Sequence, residues 1–396
     1  MKITDVKTYV VENPPPHRGG PYWIFLKLTT DSGVAGYGEV YCVPFRPKVV
    51  EAMIKDVCDR FVIDSDPFKI ERLWRIIYSS GYTQHPDLTL VGILSGIEMA
   101  CWDIVGKELN KPIYELLGGQ VHEKLRSYTY LWPKNPNEDT KYVRNDPDVA
   151  AERAVNYVEE GFTAVKFDPA RPYSAFDPRQ LSLETLDNGE KYVKKIREAV
   201  GNKCDLIIGT HGEMTPSGAL RLARRLEKYD PLWFEEPVPP ENATAMAWVA
   251  RSTRIPVATG ERLATKYEFS RLLESQAASI LQMALGRVGG ILETKKIAGM
   301  AEAHYAQIAP HLFCGPIAGA ATIQIDTCSP NFLIQESIET WGGFYAEILK
   351  EPVQWEDGYI IPPTKPGLGV ELNEEVAADH PYKGEKLHLA MLDRPV

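Results

Sequence analysis

Between about residue 126 and residue 336, eight short apolar runs alternate with amphipathic stretches, and this alternation constrains the fold more than any other feature of the chain. The runs are Ser127–Leu131, Ala164–Phe167, Leu206–Ile208, Leu232–Phe234, Val257–Ala258, Ile280–Met283, Gln307–Ala309 and Phe332–Ile334. Helical patterns such as Ala219–Tyr229 and Ala243–Ser252 follow most of them. Repeated βα units with parallel strands make either an open doubly wound sheet or a closed barrel. Eight units over roughly 210 residues suit the α/β barrel, whose usual size is about 250 residues. No Gly-x-Gly-x-x-Gly follows the first run, which counts against a dinucleotide-binding sheet.

The segment before the alternation has a different pattern. Thr8–Val11, Trp23–Thr30 and Val34–Tyr41 read as strands, the last two joined by a turn at Asp31-Ser32-Gly33. The prolines and glycines of Asn13–Pro21 leave no regular element there. Residues 46–120 read as helices, with Leu94, Ile97, Cys101, Ile104 and Val105 at helical spacing and Gly118-Gly119 as the stop. Strands followed by helices indicate an α+β unit. The expected organisation is an α+β cap over 1–125, a barrel over 126–350 and a C-terminal segment, 351–396, packing back on the cap.

With 44% hydrophobic and 25% charged residues, the composition is that of a soluble globular protein. No run of about 18 apolar residues suggests a membrane span, and Met1–Asp5 reads as a strand start rather than a signal peptide. The expected location is therefore cytoplasmic, with no membrane partner. A net charge of -10 argues against nucleic acid as a partner. The six cysteines contain no Cys-x-x-Cys, so buried thiols are expected rather than a zinc cluster.

Chemistry on such a barrel sits at the C-terminal ends of the strands. Here those ends read Lys166-Phe167-Asp168, Gly209-Thr210-His211, Glu235-Glu236-Pro237, Gly260-Glu261-Arg262, Met283-Ala284, Pro310-His311 and Gln335-Glu336. Glu235 and Glu261 are expected on adjacent strands at one height. Two inward carboxylates repel unless a cation bridges them, and oxygen donors without cysteine suggest Mg2+, with Mn2+ as the alternative. The plainer reading is that both are salt-bridged to neighbouring Arg and Lys.

Four sets of residues resemble the enolase superfamily, in its mandelate racemase / muconate lactonizing enzyme-like subgroup. They are Ser95–Lys107 with Pro112 and Leu116–Gly119; Glu235-Glu236-Pro237 with Gly260-Glu261-Arg262; Pro310-His311 with Gln335-Glu336; and Lys365–Gly369. The resemblance implies a (β/α)7β TIM-like barrel under an N-terminal cap, a homo-oligomer, and Mg2+ held by three carboxylates. It further implies a carboxylate substrate whose α-proton is removed by a base. Carried over, Glu235 and Glu261 are metal ligands, Lys166 is the first lysine of a Lys-x-Lys motif, His311 is the strand-seven base and Glu336 the strand-eight substrate contact.

The chain departs from that pattern in three places. By the 26-residue offset between Glu235 and Glu261, the third ligand falls on Gly209; the aspartate that should orient His311 falls on Ala284; and the second lysine is Asp168. His211, two residues past Gly209, resembles the acid–base histidine of acid-sugar dehydratases and could instead ligate the metal. Asp168 and Glu213 are further ligand candidates. The long loop Pro169–Glu184, with Arg171, Tyr173, Phe176 and Arg179, suits a lid. Trp23, in the cap loop His17–Trp23, and Arg46, in the second cap loop Cys42–Pro47, are expected to meet the substrate together with Asp168 and Tyr173, in a polar pocket. The resulting expectation is an acid-sugar dehydratase, a hydro-lyase. The alternatives are a racemase, epimerase or cycloisomerase of the same superfamily, and a non-catalytic sugar-acid-binding paralogue.

Overall fold

The computed structural model describes residues 1–42, 44–133 and 146–396, so Val43 of the second cap loop lies outside the described residues. The cap opens with an antiparallel sheet of β1 (Ile3–Glu12), β2 (Tyr22–Thr30) and β3 (Ala35–Glu39), in that order. Successive side chains of a strand point to opposite faces, and β2 uses both. Tyr22, Ile24, Leu26 and Leu28 enter the cap's own core, while Trp23 and Phe25 join the larger core shared with the barrel.

The helix Leu88–Glu108 locks the cap to the barrel. Asp87 caps it, accepting from the backbone N–H of Thr89 at 2.7 Å and of Leu90 at 2.8 Å. By length and composition it could cross a bilayer, yet 78% of its most apolar window is buried inside the protein. Its polar residues face the barrel. Ser95 Oγ accepts from Gly289 N–H at 2.9 Å, and Glu98 accepts from Ile291 and Leu292 N–H at 2.7 and 2.8 Å. Asp103 accepts from Leu368 N–H at 2.8 Å, and Glu39 on β3 accepts from Gly315 and Ala318 N–H at 2.5 and 2.9 Å. Glu98 and Glu39 thus sit at the starts of the helices Gly290–Ala303 and Pro316–Thr327, where free N–H groups favour negative charge.

The barrel strands are β4 (Leu125–Tyr130), β5 (Ala164–Phe167), β6 (Asp205–Gly209), β7 (Trp233–Glu235), β8 (Val257–Thr259), β9 (Ile280–Leu281), β10 (Gln307–Ile308) and β11 (Gln335–Glu336). They pair parallel in sequence order, and closure runs through Ile308↔Phe332 and Gln335↔Ser127. The last apolar run therefore leads into its strand rather than forming it. One side chain from each of the eight runs fills the interior: Tyr128, Ala164, Ile207, Trp233, Ala258, Ile280, Ala309 and Ile334. This layer plugs the barrel, so polar groups gather only above it.

The C-terminal segment does more than pack on the cap. β12 (Gln354–Glu356) and β13 (Tyr359–Ile361) form a hairpin on the outer edge of β4. Glu374 then accepts hydrogen bonds from Lys27 and from the hydroxyls of Tyr9 and Tyr37 in the cap sheet. Beyond it the chain crosses the open end of the barrel, where Leu392 N–H donates to Tyr173 O at 3.1 Å and Ala175 N–H donates to Leu392 O at 2.9 Å.

Candidate active site

A cavity of about 470 Å3 opens above the interior layer. Its walls are mostly apolar and aromatic, with Tyr130, Trp132, Phe313, Leu387, Leu389 and Met391 among them. This corrects the polar pocket expected from the sequence. The polar groups concentrate at the floor, a common arrangement in ligand sites.

Lys166 at the end of β5 is fully buried. Its Nζ lies 2.5 Å from Glu235 Oε1 and 3.5 Å from Glu336 Oε1. Burial pulls the ammonium down, but Glu235 and Glu336 outweigh it and keep Lys166 protonated. Glu235 Oε2 accepts from Trp233 Nε1 at 3.0 Å and Gln282 Nε2 at 2.7 Å, which fixes the carboxylate. Glu336 accepts from Leu312 N–H at 2.7 Å, and burial pushes it up to about 7.

Glu261 reaches this floor by a route the spacing did not show. In the β7–β8 register Glu235 pairs with Ala258. Glu261 therefore stands beyond the strand, in the turn begun by Gly260, and the equal height expected of the two carboxylates is corrected. The true register partner of Glu235 on the other side is Gly209. A Cβ at position 209 would lie 3.0 Å from Lys166 Cε, so that space is already taken by the lysine stem. His211 likewise sits in a turn after β6, at a φ of 50°, a left-handed conformation that few non-glycine residues adopt.

Each histidine has its own carboxylate. His311 Nε2 lies 3.4 Å from Glu261 Oε2, which gives it a partner despite Ala284. His211 Nδ1 lies 3.8 Å from Asp168 Oδ2, an ion-pair rather than a hydrogen-bond distance. Burial pushes His311 down to about 3, leaving it neutral. Burial also pulls on His211, but Glu261 and Asp168 outweigh it and favour its charged form. Asp168 is lowered: burial raises it, and His211, Arg171 and Tyr173 more than offset that.

His211, Glu235 and Glu261 each bring one donor atom to within 4.8 Å of the others. Glu261 Oε2 is buried without a hydrogen-bond partner. Glu235 and Glu336 share Lys166, while Glu261 has only His311 at ion-pair distance among the described residues, so a cation beside Glu261 would be compensated there. The donor set of two carboxylates and an imidazole fits a divalent ion. Glu235 would have to exchange Lys166 for it, since in this structure the plainer salt-bridged reading describes that pair. Asp168 and Glu213 are not in the group.

Lys166, Asp168, Tyr173, His211, Glu261 and His311 line the cavity, while Glu235 and Glu336 lie beneath it. Two expected substrate contacts are corrected. Trp23 is buried on the barrel-facing side of β2, stacked on Phe344 at 5.8 Å, because strand alternation turns it away from the cavity. Arg46 is exposed and pairs with Glu385 at 3.1 Å, since it precedes a surface helix. In the loop after β5, Arg171 and Tyr173 face the cavity, whereas Phe176 points to solvent and Arg179 pairs with Asp177. Sequence reasoning named Arg262 only within a strand-end motif and missed Arg287 and the tail residues 387–391. The apolar run Leu387–Leu392 after a charged stretch was the available signal for the tail.

A capped barrel with lysine, histidine and carboxylate side chains converging on one cavity is a fold of the enolase type. Residues 17–118 match the mandelate racemase / muconate lactonizing enzyme N-terminal domain family, and residues 149–376 match the enolase C-terminal domain-like family. The chain belongs to the enolase superfamily, in its mandelate racemase / muconate lactonizing enzyme-like branch. Among solved structures it is similar to a candidate mandelate racemase/muconate lactonizing enzyme from Labrenzia alexandrii DFL-11, at 61% identity and a TM-score of 0.97, covering 99% of this chain and 100% of that one. It resembles a mandelate racemase/muconate lactonizing enzyme from Sulfitobacter sp. at 48% identity and a TM-score of 0.97, covering 100% and 99%. It also resembles a candidate dehydratase from Salmonella enterica serovar Typhimurium at 32% identity and a TM-score of 0.87, covering 96% and 98%.

Proposed function

We propose that this protein is a Mg2+-dependent acid-sugar dehydratase that removes the α-proton of a hydroxy-carboxylate and expels the β-hydroxyl as water. The observation that carries the reading is the pair of imidazoles at one floor, His211 and His311, each beside its own carboxylate. Dehydration needs two proton-transfer groups, one to accept the α-proton and one to protonate the leaving hydroxyl. Glu261 lies beside His311 Nε2 and Asp168 beside His211 Nδ1, so each carboxylate acts on its imidazole through charge. Lys166 neutralises the substrate carboxylate once Glu235 turns to the ion. Glu235 and Glu261 would hold Mg2+, which supplies Lewis-acid stabilisation of charge developing on that carboxylate; His211 would join them as a ligand only in place of its proton-transfer role. The apolar walls keep water from the reacting carbons. The similarity to a candidate dehydratase supports the same reaction class.

The test is turnover on a panel of acid sugars with Mg2+ in deuterated water. A keto-acid product is expected. Exchange of the α-hydrogen without a keto product would move the reading to racemisation, epimerisation or cycloisomerisation. Neither outcome on any substrate would mark a non-catalytic binder.

A further inference from the structure

Four permanent cations line the cavity: Lys166, Arg171, Arg262 and Arg287. Three of them have acidic partners in the protein. Lys166 meets Glu235 and Glu336, Arg171 lies 3.7 Å from Asp168, and Arg262 Nε donates to Glu236 at 2.8 Å. Arg287 is different. It is 5% exposed, has no carboxylate at ion-pair distance among the described residues, and its Nε is buried without a hydrogen-bond partner. Its aromatic partner is Tyr41, a neutral group, with the guanidinium carbon 3.8 Å from the ring centroid. A buried cation left this way is costly unless something pairs with it.

The residue is also held firmly. It lies in the short helix Leu285–Val288, whose Gly286 O accepts from Tyr41 N–H at 3.0 Å. Gly289, just beyond that helix, donates N–H to Ser95 Oγ at 2.9 Å and accepts at its carbonyl from Trp74 Nε1 at 3.0 Å. The position that could have supplied an internal acid nearby, 284, is alanine. A rigid, desolvated and unmatched guanidinium on the wall of a substrate cavity is a receptor for an anionic group of the ligand.

We propose that Arg287 binds a second carboxylate of the substrate, so that the acid sugar taken by this site is a diacid of the aldarate type rather than a monocarboxylic aldonate. The inference rests on the acid-sugar reading for the identity of the ligand. One carboxylate goes to the Lys166 end of the cavity and the other to Arg287. The aromatic walls contact the C–H faces of the chain between them.

The experiment measures binding and chemistry separately. Four-, five- and six-carbon aldarates, each against its matching aldonate, are titrated calorimetrically into the Mg2+-loaded protein and into the R287Q and R287K variants. Products are analysed in parallel. The best aldarate should bind wild type at least about 30-fold more tightly than its aldonate, the scale of losing one desolvated charge pair. R287Q should bring that ratio close to one, and R287K should keep part of it. Equal or tighter aldonate binding by wild type overturns the proposal even if R287Q fails to fold, and so does an unchanged ratio in a folded R287Q. Diacid selectivity that depends on Arg287 without any keto product would uphold this inference and sink the dehydratase reading. Keto products formed without diacid selectivity would do the reverse.

Discussion

Acidification should release the C-terminal tail from the cavity, through one histidine. His388 is buried edge-on against Tyr22 at 5.6 Å, Tyr41 at 5.1 Å and Phe313 at 6.0 Å, with Nε2 3.1 Å from Gly19 O. The fit is close enough that a Cβ on Gly20 would fall 1.9 Å from the ring nitrogen. Burial pushes His388 down to about 3, Arg287 adds to this, and the Gly19 carbonyl opposes it weakly. The other titratable groups around it, Tyr22, Tyr41 and Cys42, are all pushed up by burial, Tyr22 to about 12 and Cys42 to about 11, and stay neutral below pH 8. A depressed histidine pKa means that the docked tail favours the neutral ring. Its contribution is present above about pH 6.5 and is lost as the pH falls toward 3. Between pH 7.5 and pH 5.5 the docked state should lose about 1.4 kcal/mol, a tenfold change in the docking equilibrium. Hydrogen exchange at the amides of Leu392 and Ala175, corrected for intrinsic rates, reads that equilibrium directly, because the two amides tie the tail to the Tyr173 loop. His388→Phe keeps an aromatic ring in the same pocket and should flatten the response. An unchanged pH slope in the phenylalanine variant, or no slope in the native chain, refutes the reasoning.

Two further outcomes follow from the floor of the cavity. Glu235→Gln and Glu261→Gln should each abolish or greatly weaken Mg2+ binding measured by calorimetry, and native affinity in both would remove them as ligands. His211→Asn should lower turnover by about 10²–10⁴, the usual range for an acid–base group, with Mg2+ affinity kept if its role is proton transfer; a parallel loss of affinity would make it a ligand instead.

The barrel was legible because eight apolar runs must each enter a parallel strand, and the interior layer takes one side chain from every run. The motif Ser95–Lys107, which carried much of the resemblance, turns out to act away from the chemistry. Ser95, Glu98 and Asp103 bond the cap helix to backbone N–H groups of Gly289, Ile291, Leu292 and Leu368. The second fingerprint, Lys365–Gly369, packs on the same helix, since a Cβ on Gly106 would meet Gly367 Cα at 2.5 Å. In this chain these residues hold the cap at one height over the barrel. A 26-residue offset, by contrast, could not give the height of Glu261, because the turn after β8 adds residues that no spacing rule counts. Trp23 was misread for a simpler reason: the alternation along β2 was visible, but which face met which core was not.

What sequence reasoning missed shares one property. Arg287 and the tail residues Leu387–Met391 carry no strand-end signature, and each reaches the cavity only because another part of the chain holds it there. Arg287 depends on Tyr41 of the cap and on the alanine at 284; the tail depends on His388 lodging beside Gly20 and on the backbone of Tyr173. Tyr41 serves both, with its ring under the Arg287 guanidinium and 5.1 Å from the His388 ring. An anion drawn to Arg287 and a tail closing over the cavity therefore act on one aromatic platform. On the proposed reading, substrate discrimination is set at the junction of cap, barrel and tail, one layer above the strand ends to which the proton chemistry is assigned.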